Sequence, residues 1–236
     1  MIFLLAAQPQ FEVASVKVHP EPPRIMGVKA TGNRLVADAE TVRGLIMWAW
    51  KLKNYQVDGP GANSPVGDTF YDVVAKAEGD AIPTVAEMRV LLQSLLADRF
   101  HLKVHRETRE MPVYALVLGK NAPKLKPSAP DAGPGGNLHV VDRNYEYTVP
   151  KATMSDILDG IANSFLDRPV VDQTGLTGTY DLKLVYTPDL RSNREPDPAD
   201  ISIFTAVQNQ LGLKLVPQKA PVEILVVDHV EKPTEN

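Results

Sequence analysis

The stretch of this chain that comes nearest to a catalytic motif is Asp172-Gln173-Thr174-Gly175. An aspartate can act as a nucleophile toward a phosphoryl group when a nearby cation and a bound magnesium ion accept the developing charge. The same residues also suit a purely structural turn, because glycines adopt positive φ values and because Asp and Thr side chains hydrogen-bond the backbone of their own turn. The question is which of these two interpretations the rest of the chain favours.

The four residues resemble the Asp-Lys-Thr-Gly sequence that carries the phosphoryl group in cation-pumping ATPases. Here Gln173 stands in place of the Lys, and neither membrane spans nor a nucleotide-binding domain can be recognised. The glycines at 175 and 178 do not form a phosphate-binding P-loop either, because no Lys follows them and they lead into a strand pattern. The sequence therefore favours a structural turn.

Two histidines, His101 and His105, raise the question of a zinc site, because histidines four residues apart share one face of a helix. The segment alternates polar and apolar residues, however, and is therefore predicted to be a strand, on which these two positions lie about 13 Å apart. That separation is too large for one zinc ion. No Gly-x-Ser-x-Gly elbow is present, so we predict no catalytic residue, no cofactor and no metal site.

Composition and charge exclude several partners. The chain of 236 residues is 44% hydrophobic and 23% charged, which is typical of globular proteins, and its net charge of −4 leaves no basic excess for nucleic acid. It has no cysteine, so disulfides and cysteine-type zinc sites are excluded. The partner that we expect is accordingly neither a nucleic acid nor a membrane.

The first ten residues indicate export. Residues 1–10 contain an apolar run that ends in small residues, Ile2–Ala7, followed by Gln8-Pro9-Gln10. This pattern resembles the last part of a signal peptide, although a charged beginning is missing and the apolar run is short. No run approaches the roughly 18 apolar residues of a membrane span. We expect an exported protein, periplasmic or extracellular, without a transmembrane helix.

A segment rich in Pro and Gly, residues 119–137, interrupts the apolar periodicity and is predicted to be a linker. It separates a first domain at 11–118 from a second at 138–236. The two halves share a pattern, which predicts an internal duplication. Matching pairs recur at nearly constant spacing: Thr41 with Thr153 at the start of an apolar helix, Val57-Asp58 with Val171-Asp172, Tyr71-Asp72 with Tyr180-Asp181, Leu102-Lys103-Val104 with Leu213-Lys214-Leu215, and Pro112-Val113 with Pro221-Val222.

Each half is predicted to hold two helices and several short strands, in the order β-α-β-β-α-β-β. The second helix of the first half begins at a capping box, Thr84-x-x-Glu87. Polar turns at 106–110 and 217–220 are predicted to close hairpins, and Phe11–Lys17 is predicted to be an additional leading strand. The predicted fold class is α+β, with two related domains and small mixed sheets.

Four stretches together resemble a family of uncharacterised proteins abundant in soil acidobacteria: FEVASVK, LLQSLLADRFHLKVHRETREMPVYAL, RPVVDQTGLTGTYD and QLGLKLVPQKAPVEILVVDHVEKP. That resemblance implies export after a signal peptide and brings no known activity. Each half also resembles the short amino-terminal domain of secretins and TonB-dependent receptors, in which a helix, a strand ending in Asp, a Gly-containing turn, a strand, a second helix and a hairpin follow one another. This second resemblance implies a periplasmic adaptor that binds other proteins.

The first predicted helix has apolar side chains almost all round, since Met47, Trp48 and Trp50 lie outside its core stripe. These residues are either packed against another part of the protein or exposed as an interaction surface. The leading functional hypothesis is a non-enzymatic protein–protein interaction module of the bacterial cell envelope, with an envelope or secreted protein as its partner. The alternatives are an extracellular protein that binds a polysaccharide or a small ligand, and an enzyme of unrecognised type.

Overall fold

The computed structural model describes residues 9–20, 26–133, 135–162, 166, 168–188 and 197–233. Most of the signal-peptide-like segment 1–10 lies outside this description. The chain forms two compact units, the first made of Met1–Arg109 with Val222–Asn236 and the second of Glu110–Pro221. Helices and small sheets are both present, so the predicted α+β class is confirmed. None of the described helices is long and apolar enough to span a membrane.

The first unit contains a four-stranded antiparallel sheet and two helices. Its elements follow in the order β1 Phe11–Val18, β2 Gly27–Thr31, β3 Arg34–Thr41, α1 Val42–Trp50, a 3-10 turn Asn54–Gln56, β4 Val57–Asp58, β5 Phe70–Ala77, α2 Val85–Arg99 and the first part of β6 Lys103–Leu118. The sheet order is β1-β5-β3-β2. The predicted leading strand is therefore confirmed as β1, and it pairs with β5.

The second unit has an equivalent set of elements. They are β7 Lys126–Pro127, β8 Asn137–Val141, β9 Asn144–Ala152, α3 Met154–Ala162, β10 Val170–Asp172, β11 Tyr180–Tyr186, α4 Ile203–Ala206 with a π-helical turn Val207–Leu211, and the first part of β12 Leu213–His229. The sheet order is β7-β11-β9-β8. In both units a hairpin, a helix, two strands and a second helix follow one another. The internal duplication stays a prediction.

Local sequence explains where the helices begin. The Thr41 hydroxyl accepts a hydrogen bond from the backbone N–H of Gly44 (3.0 Å) at the start of α1. The predicted capping box is confirmed at α2, where the N–H of Thr84 donates to Glu87 Oε2 (2.7 Å) and the N–H of Glu87 donates to Thr84 Oγ1 (3.2 Å). These bonds satisfy N–H groups that the first turn of a helix leaves without partners.

Each unit has its own apolar core. In the first, one face of the sheet packs with α1 and α2 around fully buried residues that include Leu35, Leu45, Tyr71, Leu92 and Phe100. In the second, α3 and the α4 segment pack with the sheet around residues that include Ile157, Ile161, Leu184, Tyr186 and Val207. The period of two in the strands and the helical spacing of apolar residues place these side chains on the core side.

The structure does not contain the two turns that the sequence predicted. The predictions at 106–110 and 217–220 are wrong, because these residues lie inside the long strands β6 and β12. Neither stretch contains a glycine, and exposed and less exposed residues alternate through both, so they continue as strands. As a result β6 begins in the first unit and ends in the second, whereas β12 begins in the second unit and ends in the first.

The segment predicted as a linker, 119–137, belongs to the second unit. Its backbone is held by hydrogen bonds within that unit, and it contributes β7, which pairs with β11. The bonds join Gly119 N to Gly212 O (3.0 Å), Lys124 N to Leu211 O (2.9 Å) and Ser128 N to Thr179 O (3.0 Å). A high content of Pro and Gly is compatible with such an ordered segment, since these residues also favour fixed turns.

Candidate functional site

The outer edge of the second unit's sheet is formed by β8, and in the described part of the chain no strand lies beyond it. All five of its residues, Asn137–Val141, are exposed. Three of them are apolar: Leu138 is 43% exposed, Val140 64% and Val141 53%. An edge strand with exposed apolar side chains is a template on which a further strand can pair. We call the backbone of β8 together with Leu138 and Val140 the β8 edge.

The register of the hairpin shows which backbone groups are available at this edge. Val141 and Asn144 flank the two-residue loop Asp142-Arg143, in which Asp142 has a φ of 57°. Flanking residues of a two-residue hairpin loop bond to each other, and bonded pairs then alternate along the strands. The N–H and C=O groups of Leu138 and Val140 consequently point away from β9.

The side chains of the β8 edge continue the core-facing side of the sheet. Leu138 lies opposite Tyr147 and Val140 lies opposite Tyr145, and both tyrosines pack against the second core. Opposite residues of an antiparallel pair share one face of the sheet. Leu138 and Val140 thus form an apolar extension of the core face, and an added strand could place its own apolar side chains beside them.

Natural edge strands usually carry a Lys, a Pro or a bulge that prevents unwanted pairing. The edge strand β2 of the first unit has Lys29 at its centre, while Val28 and Ala30 are half-buried and pack against the first core. In β8 the equivalent central residue is His139, and the strand has neither a Lys nor a Pro. The β8 edge therefore lacks the protection that β2 has.

A group of charged side chains on the first unit is a weaker candidate. Arg109 donates through Nε and Nη2 to Glu107 (2.8 and 3.0 Å) and through Nη1 to Asp58 (2.5 Å). The bond from the Gly59 N–H and then the bond from Arg109 hold the pKa of Asp58 below its ordinary value, and Arg109 lowers the pKa of Glu107. Since two carboxylates surround this guanidinium, it is poorly suited to binding an anion.

Four histidines pair with carboxylates in the first unit. His19 Nδ1 lies 3.0 Å from Asp72 Oδ2, and His105 Nδ1 lies 2.9 Å from Asp228 Oδ2. Glu231 lies between His229 (2.8 Å) and His101 (3.5 Å). Among the described residues no group of three or more such side chains could hold a metal ion. His101, for which a strand was predicted, precedes β6 and has a φ of 49°.

The possible interaction surface that the sequence indicated lies on α1. Met47, Trp48 and Trp50 are half-buried and pack against the first core, and the Arg89 guanidinium lies 5.5 Å from the centre of the Trp48 ring. Their proposed role as an interaction surface stays a prediction.

The predicted hydrogen bonding of the Asp-Gln-Thr-Gly turn is confirmed. Asp172 Oδ1 accepts from the N–H (2.9 Å) and the hydroxyl (2.8 Å) of Thr174, and Thr174 Oγ1 accepts from the N–H of Leu176 (3.1 Å). Gly175 and Gly178 have φ values of 68° and 115°. The side chain of Asp172 therefore forms hydrogen bonds within its own turn.

Comparisons with known proteins place the chain in a family without assigning it a reaction. The model of the family described as Protein of unknown function (DUF3738) matches residues 43–230, so the chain belongs to that family. No curated protein matches the chain, and no solved structure does. The match includes the β8 edge.

Proposed function

Proceeding from membership of this family of unknown function, we propose that the protein is a protein–protein interaction module that binds an extended segment of its partner. The site is the β8 edge, where the segment adds a fifth strand to the sheet β7-β11-β9-β8. The observation that carries the proposal is the exposed edge strand Asn137–Val141, which pairs with β9 on one side, has no strand on its other side in the described part of the chain, and contains neither a Lys nor a Pro. Backbone hydrogen bonds supply affinity in this mode of binding, and the side-chain positions supply selectivity.

The chemistry of the edge defines the partner. The face shared with Tyr145 and Tyr147 offers Leu138 and Val140, so the added strand should carry apolar residues at alternate positions. A charged residue at those positions would lose its hydration against Leu138 and Val140, which is unfavourable. The expected ligand is therefore a short extended segment with alternating apolar residues and no charge on its inner face.

A second copy of this chain is a less suitable occupant. Stable interfaces between folded proteins engage roughly 20–30 residues on each side, whereas β8 offers five residues. Pairing of one β8 with another would bury too little surface for a stable dimer. An extended segment of a different protein is favoured, because a flexible chain can follow the edge and continue onto neighbouring surface.

The same proposal includes export and action at the cell envelope. Its support is the signal-peptide-like pattern of residues 1–10 together with the resemblance to secretin and TonB-receptor adaptor domains. Fractionation of the native cells, with an antibody against the full chain, tests this part. The protein should appear in the periplasmic or extracellular fraction, and its confinement to the cytoplasm would contradict the proposal.

The binding site is tested with a random peptide library displayed on phage and panned against the immobilised full chain. Peptides with alternating apolar residues should be selected. Their affinity for the Val140→Lys variant should fall by about tenfold or more, because the ammonium group would have to be desolvated beneath the added strand. Ile82→Lys is the matched control, since Ile82 is 75% exposed and lies outside any sheet.

A second variant tests the backbone hydrogen bonds of the β8 edge separately from its side chains. Leu138→Pro removes an N–H that points away from β9, and proline is tolerated at such positions of edge strands. It should weaken peptide binding while the variant stays folded. Selection of no peptide, or equal binding by both Lys variants, would contradict the proposal. A dimer in sedimentation experiments that Val140→Lys abolishes would identify a second copy as the occupant instead.

A further inference from the structure

The four-stranded sheet of the first unit has a second face, opposite to the face that packs with α1 and α2. Buried residues of the core alternate along β3 and β5 with residues that point to this second face. Val74 at its centre is 46% exposed. We call this side of the sheet the outer face.

The two central strands of the outer face, β3 and β5, present the same order of side chains: a basic residue, a valine and an aspartate. These residues are Arg34, Val36 and Asp38 in β3, and Lys76, Val74 and Asp72 in β5. The register places Arg34 opposite Lys76 and Val36 opposite Val74. The N–H of Ala39, which follows Asp38, donates to Asp72 Oδ1 (2.9 Å). Cations therefore occupy one end of the outer face, valines its middle and carboxylates the other end.

Arg34 and Asp38 are exposed, and among the described residues neither side chain has a hydrogen bond or an ion pair. Lys76, by contrast, is paired with Glu12 (2.8 Å). Like charges directly opposite each other on neighbouring strands are unfavourable, so Arg34 is poorly placed beside Lys76. An acidic group over Arg34 would relieve this repulsion.

The corresponding face of the second unit distributes its charges differently. There Lys183 of β11 pairs with Glu146 of β9 (2.9 Å), so opposite charges neutralise each other within one copy. On β3 of the first unit, the basic and the acidic residue are four positions apart, which is about 13 Å along a strand. Arg34 and Asp38 are consequently available to a partner with the reverse order of charges.

A second copy of the chain supplies that reverse order. A two-fold axis that runs across the strands, through the row of Val36 and Val74, turns one copy end over end onto the other. Each valine then meets the same valine of the second copy, and Arg34 lies over Asp38 of the second copy. Two sheets can pack face to face in this way with their strands nearly aligned. A surface that complements itself under a two-fold axis is what a symmetric dimer requires.

The area of the outer face limits the strength of such a dimer. Four strands of about eight residues cover about 19 by 26 Å, which is about 500 Å² on each copy and about 1,000 Å² in total. This total is at the lower limit of specific interfaces. Lys29 of the edge strand β2 ends the valine row and would meet its own copy, but its long side chain can extend into water. The expected dimer is therefore weak and reversible.

We propose that the outer face is the interface of a reversible two-fold dimer of this chain. Val36 and Val74 form its apolar centre, and Arg34 pairs with Asp38 of the second copy. The proposal does not depend on the peptide-binding function, because the β8 edge belongs to the other unit.

Sedimentation equilibrium of the full chain, at protein concentrations from about 10 to 500 μM, tests for the weak dimer that an interface of this size predicts. Val74→Glu should weaken dimerisation by about tenfold or more, because two carboxylates would be desolvated against each other. Val90→Glu is the matched control, since Val90 is similarly exposed (43%) but lies on α2. A monomer at all concentrations, or an equal effect of the two variants, would overturn the proposal.

An exchange of charges tests the pairing of Arg34 with Asp38. Arg34→Asp leaves two carboxylates at these positions and Asp38→Arg leaves two guanidinium groups, so each variant alone should dimerise about tenfold more weakly than the wild type. An equimolar mixture of the two variants restores both ion pairs and should associate about as tightly as the wild type. A mixture that associates no more tightly than either variant alone would count decisively against this interface.

The Val140→Lys variant distinguishes the outer face from the β8 edge. Its dimerisation should equal that of the wild type, because Val140 lies in the other unit. Loss of the dimer in Val140→Lys would locate the contact at the β8 edge and overturn the proposal. Loss of peptide binding with an intact dimer would support both proposals, and an intact dimer without any peptide binding would contradict only the proposed function.

Discussion

The ring of Tyr147 in β9 packs directly on Gly160 in α3. A Cβ atom added at position 160 would lie 2.3 Å from Cδ1 and 2.5 Å from Cε1 of Tyr147. The Tyr186 hydroxyl donates to the carbonyl oxygen of Gly160 (3.1 Å) and holds the same turn of the helix. Gly160 thus allows α3 to approach the sheet closely on the face that continues into Leu138 and Val140.

Gly160→Ala should destabilise the protein. Alanine favours helices by about 1 kcal/mol over glycine, whereas forcing an additional group into a packed core costs about 1–3 kcal/mol. The bond from Tyr186 resists a shift of the helix, so we expect a net loss of up to about 2 kcal/mol in the free energy of unfolding. Urea unfolding monitored by circular dichroism measures this difference.

Gly133→Ala is a suitable control for this experiment, because an added Cβ there would have no neighbour within 4 Å. Its free energy of unfolding should change by no more than about 0.5 kcal/mol. Higher stability of Gly160→Ala than of the wild type would mean that helix propensity outweighs the contact with Tyr147, and that α3 can move away from the sheet.

The Asp172 turn provides a second prediction. Asp172→Ala removes the acceptor for two hydrogen bonds from Thr174, a residue that is buried. We expect a loss of about 1–2 kcal/mol in the free energy of unfolding. Asp172→Asn keeps an acceptor oxygen and should lose less. Asp181→Ala, at an exposed position of β11, is the control, and an equal effect of the two alanine variants would contradict a specific role for the turn.

The sequence predicted those parts of the fold that depend on local patterns. Thr84 and Glu87 identify the start of α2 because the capping box involves residues close in sequence. The continuity of β6 across Arg106–Glu110 was missed, since polar residues alternate in an exposed strand much as they cluster in a turn. Sheet partners distant in sequence decide between these two possibilities.

The β8 hairpin also had a detectable signal. Leu138 and Val140 alternate with polar residues, and Asp142 provides the turn residue before the alternating strand β9. The neighbouring Pro and Gly residues caused Asn137 to be included in the predicted linker.

The charged group around Arg109 makes stability dependent on pH. Asp58 has an ordinary pKa of 3.8, and the Gly59 N–H and then Arg109 lower it in the folded protein. Glu107 has an ordinary pKa of 4.5, which the hydrogen bonds from Arg109 lower. Both groups are largely exposed, so salt and water weaken the effect.

A lowered pKa in the folded state means that the charged carboxylate stabilises the fold. This contribution is fully present above the ordinary pKa values of 3.8 and 4.5, and it is lost as the pH falls through the lower values of the folded protein. The free energy of unfolding should therefore fall on acidification from pH about 6 to about 3, and the fall should be smaller for Glu107→Gln and for Asp58→Asn. Glu110→Gln, at an exposed position of the same strand, serves as the control. Urea midpoints at both pH values measure the effect, and an equal pH dependence in the wild type and both variants of the Arg109 group would show that these ion pairs do not stabilise the fold.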